Sequence, residues 1–70
     1  MKKLKYMWLI KANLRSQVGD IYFTEDVIAT DKEAAERGFW IRMEYARKKK
    51  KILPGEITIK DIVRWSDRAV

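Results

Sequence analysis

Histidine and cysteine, the side chains that most often act as base, nucleophile or soft-metal ligand near neutral pH, are both absent from this sequence. Acid–base or metal chemistry would therefore fall to carboxylates. The closest sets are the adjacent pair Glu25-Asp26 and the helical-spaced pair Glu33 and Glu36. Neighbouring residues of a strand point to opposite faces, so Glu25 and Asp26 share one ion only if a bulge reorients them. Glu33 is accounted for as a helix cap and Glu36 as a solvated helix residue. No spacing matches a calcium loop, and no glycine-rich phosphate loop is present. The expectation is a protein that is not an enzyme, with no catalytic residues, no metal, no cofactor and no small-molecule substrate.

The second chemistry-bearing feature is positive charge. Sixteen Lys and Arg stand against ten Asp and Glu, a formal net charge of +6, and a field of that sign attracts nucleic acid, anionic membranes or acidic proteins. The densest stretch is Arg47-Lys48-Lys49-Lys50-Lys51. As a functional site it would contact phosphates, joined by Arg42 on the same helix, by Lys2, Lys3 and Lys5, and by Arg64 and Arg68. As a purely structural feature it is a solvated helix end, where cations complement the negative pole of the helix dipole. No helix-turn-helix, zinc finger or aromatic RNA-recognition signature accompanies it, so any binding would be directed at the backbone and independent of base sequence.

These groups must be positioned by elements that the apolar pattern reveals. Tyr6, Trp8, Ile10, Ala12 and Leu14 recur with a period of two, and Ile21, Phe23, Val27 and Ala29 resume it after Arg15-Ser16-Gln17-Val18-Gly19. Such alternation across a turn predicts a β-hairpin. Pairing Leu14 with Ile21 aligns Ala12 with Phe23, Trp8 with Val27 and Tyr6 with Ala29, but sets Glu25 beside Ile10 on the apolar face. A β-bulge near Glu25-Asp26 would turn that carboxylate out to water.

Thr30-Asp31-Lys32-Glu33 has the form of a capping box, with Thr30 as the cap of a helix starting at Asp31. Ala35, Phe39, Met43 and Ala46 follow at helical spacing, which makes an apolar stripe facing the sheet. Gly38 in that helix is expected to allow close approach to a bulky sheet residue such as Trp8. Pro54-Gly55 ends the helical region. Ile57, Ile59, Val63 and Trp65 suggest a third strand with an irregularity near Asp61-Ile62, although Thr58 and Asp61 also fit the cap of a short helix. The fold class is α+β: a single domain over residues 1–70, ordered β-β-α-β, with a mainly antiparallel three-stranded sheet and one helix on one face.

One helix covers one face. Met7, Leu9, Tyr22, Ile28 and also Ile62 would then lie on the other, an apolar surface of the kind that receives a partner or a second copy. Trp40, about 100° round the helix from Phe39, sits at the margin of the buried stripe. Met7, Leu9, Tyr22, Ile28 and Trp40 are the expected partner-binding residues; Arg42, Arg47, Lys48, Lys49, Lys50 and Lys51 are the nucleic-acid-binding set of the alternative reading. Exposed Tyr22 or Trp40 would offer stacking platforms in that alternative.

Seventy residues build only a small core, and without disulfide or metal a chain of this size gains from a partner subunit. The lack of cysteine suits a reducing compartment, and the cytoplasm is the expected location. The opening Met-Lys-Lys-Leu-Lys looks like the charged start of a secretory signal, but the apolar run from Tyr6 to Ile10 is cut by Lys11, and no membrane span is expected.

The layout, with Val27-Ile28-Ala29-Thr30-Asp31-Lys32-Glu33-Ala34-Ala35 opening a helix and Ile57-Thr58-Ile59-Lys60-Asp61-Ile62-Val63-Arg64-Trp65-Ser66-Asp67 following it, resembles the small proteins of bacteriophages and mobile elements. Some of those, including certain anti-CRISPR proteins, bind host defence machinery or nucleic acid. The resemblance implies a binding module that modulates a host complex, and it assigns no functional residue. The expected function is thus protein–protein contact or self-association, with non-sequence-specific nucleic-acid binding as the alternative.

Overall fold

A computed structural model describes residues 3–70. Three strands, β1 (Tyr6–Ser16), β2 (Gly19–Ala29) and β3 (Glu56–Arg64), and one helix, α1 (Lys32–Lys48), follow one another in the order β-β-α-β. The sheet is antiparallel, with β1 in the centre and β2 and β3 at the edges. Residues 57–64 are therefore strand, with the Trp65 amide donating to the Met7 carbonyl one step beyond β3.

The β1–β2 register is the one set by the apolar alternation: Leu14 faces Ile21, Ala12 faces Phe23, Trp8 faces Val27 and Tyr6 faces Ala29. Ile10 does face Glu25, and the pairing runs on through Asp26 without a bulge. The expected bulge at Glu25-Asp26 is absent because the carboxylate is met on the helix side. Arg42 of α1 reaches over the sheet edge, with its Nη1 3.5 Å from Glu25 Oε2, and donates to the Asp26 carbonyl. The irregularity expected in the third strand near Asp61-Ile62 is present, one residue earlier. Lys11 faces Asp61 while Ala12 faces Ile59, so Lys60 is the extra residue of a bulge. That insertion resets the alternation: Ile62, opposite Ile10, packs against the core under the helix. It does not belong to the open face.

The core consists of Ile10, Ala12, Leu14, Val27, Ala29, Ala35, Phe39, Met43 and Ile57. Phe39 and Ile10 are its largest wholly buried side chains. Burying a side chain of that size is worth ~1.5–3 kcal/mol. Trp8 flanks this core and donates its indole N–H to the Ala29 carbonyl at 3.0 Å. Gly38 does bring helix and sheet together, but its neighbour is Val27: a Cβ on Gly38 would lie 2.9 Å from Val27 Cγ1. Trp8 is not that neighbour.

The helix is capped by Asp31 rather than Thr30. Asp31 has extended backbone angles, and its carboxylate accepts from the Ala34 amide at 2.8 Å. The residue after Thr30 is the better cap because its charged carboxylate makes the stronger bond to the helix's free amides. At the other end the amides of Lys50 and Lys51 donate to the carbonyls of Arg47 and Ala46 at 3.1 and 2.9 Å. This is a Schellman closure, with Lys50 in the left-handed position at φ 55°. The returning loop is pinned by Arg47, which donates to the Gly55 carbonyl at 2.8 Å. Gly55, at φ 154°, passes so close to the Arg15 carbonyl that any Cβ would overlap it.

Candidate functional site

Helix α1 covers the even-numbered side of β1, which leaves Met7, Leu9, Lys11, Asn13 and Arg15 on the other side of the sheet. Their partners in β2 are Ile28, Asp26, Thr24, Tyr22 and Asp20, and in β3 Val63, Asp61, Thr58 and Glu56 face Leu9, Lys11, Asn13 and Arg15. The register divides this open face into two ends of different chemistry.

One end is apolar. Met7 and Leu9 are partly buried, Ile28 is 49 % exposed and Val63 41 %. Trp65, 67 % exposed, continues the β3 column beside Met7. The other end is polar: a depression of 300 Å³ there is lined by Asn13, Arg15, Asp20, Tyr22, Glu56, Thr58 and Lys60. Asn13 Oδ1 is buried in it without a hydrogen-bond partner.

The structure thus brings Met7, Leu9 and Ile28 together. Tyr22, 73 % exposed, is on the same face but six strand residues from Ile28, about 20 Å away at ~3.3 Å per residue. Trp40 is not on this face at all. It stands on α1, 40 % exposed, with its ring edge-on to Phe39 at 5.1 Å, in the layer on the far side of the sheet. It cannot share a contact surface with Leu9. Val63 and Trp65, which sequence reasoning placed in the third strand without assigning a face, join the apolar end. Their i, i+2 spacing carried that information once the bulge at Lys60 was counted.

Charge is sorted between the two layers. The open face carries Lys11, Arg15 and Lys60 against Asp20, Asp26, Glu56 and Asp61, three cations to four carboxylates, in a chain with a net charge of +6. The excess positive charge therefore lies elsewhere, chiefly on α1 and the turn after it.

Within that basic set the roles differ. Arg42 is turned to the β2 edge and Arg47 to Gly55. Lys48 is 3.9 Å from Glu44 one turn back. Lys49 and Lys51 flank the ring of Tyr45, each with its ammonium 5.8 Å from the centroid, and Tyr45 is 55 % exposed. Lysines 48–51 and Tyr45 remain presented to solvent; the two arginines are occupied with holding the fold. At the amino end Lys2 lies outside the described residues. Arg64 stacks over Tyr6 at 4.8 Å and is 3.3 Å from Asp67.

The carboxylates stay apart. Glu25 is on the helix side with Arg42 and Asp26 on the open face beside Leu9, and Glu33 and Glu36 are exposed on α1. Among the described residues no three potential metal ligands converge, and no helix is long and apolar enough to cross a membrane. The bond from the Ala34 amide lowers the pKa of Asp31 below the ordinary 3.8, aided by Lys3 and Arg37. That displacement belongs to helix capping.

No family model, no curated protein and no solved structure matches this chain.

Proposed function

We propose that this protein is a non-enzymatic binding module whose partner is another protein, docked on the apolar end of the open sheet face. The observation that carries the reading is the cluster of Met7, Leu9 and Ile28 with Val63 and Trp65, on a face that no element among the described residues covers. Exposed apolar side chains grouped in this way gain by burial against a complementary surface. The partner surface is apolar at its centre, matching Met7, Leu9, Ile28, Val63 and Trp65. The resemblance to accessory proteins of phages and mobile elements supports a host complex as the target. Capture from a lysate of the native host, with nuclease added, tests it: the partner persists with the wild-type chain and is lost with Leu9→Asp. Retention by Leu9→Asp would remove the open face from the account.

A second reading, nucleic-acid binding through the end of α1, is favoured by Lys49 and Lys51 flanking exposed Tyr45, a cationic and aromatic pairing suited to phosphates and bases. Here affinity for DNA falls with salt, and replacing Lys48 to Lys51 with Gln flattens the slope.

A further inference from the structure

Edge strands are ordinarily guarded against pairing with other strands by lysines, prolines or bulges. β3 is guarded: it carries the bulge at Lys60 and cations at Lys60 and Arg64. β2 has no bulge, no proline and no lysine or arginine among its 11 residues, although the chain holds sixteen such cations.

Which β2 groups face outward follows from the ladder. The Met7 carbonyl bonds to Trp65 on the β3 side, so the odd-numbered residues of β1 bond toward β3 and its even-numbered residues toward β2. Across the register, the N–H and C=O groups of Asp20, Tyr22, Thr24 and Asp26 then point away from the sheet. The Asp26 carbonyl is occupied by Arg42. For Asp20, Tyr22 and Thr24 no partner is found among the described residues for these outward groups.

We infer that this segment pairs with the same segment of a second copy, antiparallel and centred on Tyr22, joining two sheets into one of six strands. The sequence suits its own two-fold image. With Tyr22 on the axis, Asp20 faces the Thr24 hydroxyl of the other copy and Ile21 faces its Phe23, so no like charges are opposed. The carboxylates flanking the segment are balanced within each chain, Asp20 by Arg15 at 3.9 Å and Glu25 by Arg42 at 3.5 Å. Ile21 and Phe23 border an apolar cleft of 290 Å³ with Met43 and Leu53, which lies on the side where the two copies' Ile21–Phe23 pairs form.

A separate observation points the same way. Tyr45, 55 % exposed, lies three residues beyond Arg42 and so shares the flank of α1 from which Arg42 reaches the β2 edge. A two-fold axis through Tyr22 keeps both helices on one side of the joined sheet and sets these flanks toward each other.

This surface is distinct from the apolar end that docks the foreign partner, so the two proposals fail separately. Because the chain has no cysteine, single cysteines report the register directly. Sedimentation of the wild type should show its mass rising toward twice the monomer with concentration. Tyr22→Cys should oxidise to a covalent dimer, whereas Thr24→Cys alone should not, since the two copies of residue 24 lie four positions apart, ~13 Å. Asp20→Cys mixed with Thr24→Cys should cross-link. Tyr22→Pro, which removes only an outward amide, should leave a folded monomer, and Leu9→Asp should leave the dimer intact. A wild type that stays monomeric at high micromolar concentration, which would free the edge for an extended segment of another protein, overturns the inference. So does equal cross-linking of Tyr22→Cys and Thr24→Cys.

Discussion

The guanidinium of Arg42 donates to the backbone carbonyl of Asp26, sixteen residues earlier in the chain. One side chain thereby caps the end of the free β2 edge and supplies the countercharge for Glu25 on an otherwise apolar strand face. Replacing it with Gln should cost about 1 kcal/mol or less, because both ionic groups are substantially solvated. In the register centred on Tyr22, Asp26 lies opposite the turn residue Val18 of the second copy, outside β2, so self-association should be unchanged. Chemical denaturation and sedimentation of Arg42→Gln check the two halves of this expectation.

Gly38 is the closest approach of helix to sheet. Alanine would raise helix propensity by ~1 kcal/mol, but its methyl would meet Val27 Cγ1 at 2.9 Å, and a β-branched side chain has little freedom to yield. Overpacking of this kind costs about 1–3 kcal/mol. Gly38→Ala should therefore destabilise, and the loss in Gly38→Ala with Val27→Ala should be smaller than the sum of the single losses by about 1 kcal/mol. Denaturant midpoints of the three variants give the coupling.

Lys50 holds the left-handed position of the helix closure with a residue that resists it, at φ 55°. Lys50→Gly should stabilise the protein by about 1 kcal/mol, read as a raised melting temperature. If phosphate contact is the function of the run, the same variant should weaken DNA binding, so one protein separates fold from charge.

The amide of Ala34 holds the Asp31 carboxyl below its ordinary 3.8. A carboxylate with a folded pKa below its unfolded one contributes stability at pH above the unfolded value, and that contribution is lost as pH falls through the folded value. The wild type should lose stability below about pH 4, and the difference between wild type and Asp31→Asn, an uncharged cap, should shrink over that same interval. Denaturation curves at stepped pH measure it.

Much of the fold was legible because period-two alternation sets register by itself: every β1–β2 pair expected from Leu14 and Ile21 is present. What escaped depends on groups distant in sequence. The Glu25 carboxylate looked misplaced because its partner, Arg42, arrives only when the helix packs. The bulge at Lys60 moves Ile62 to the core side, and a single inserted residue reverses every later assignment to a face. Of the candidate surface, Met7, Leu9 and Ile28 could be grouped from alternation alone. Tyr22 was grouped with them because facing is visible in a strand pattern and distance along it is not. Trp40 was included for its exposure, and exposure does not report which layer a helix residue occupies.

Affinity of the purified partner for wild type, for Leu9→Asp and for the chain with Lys48, Lys49, Lys50 and Lys51 changed to Gln tests the central claim most directly. Docking on the apolar end of the open face predicts at least about thirtyfold weaker binding by Leu9→Asp, the loss of a buried anchor, with the fold retained by circular dichroism. The lysine variant should bind within about threefold of wild type, since Lys48 to Lys51 lie at the end of α1, on the layer opposite the apolar end. Undiminished binding by Leu9→Asp together with loss of binding by the lysine variant would contradict the account.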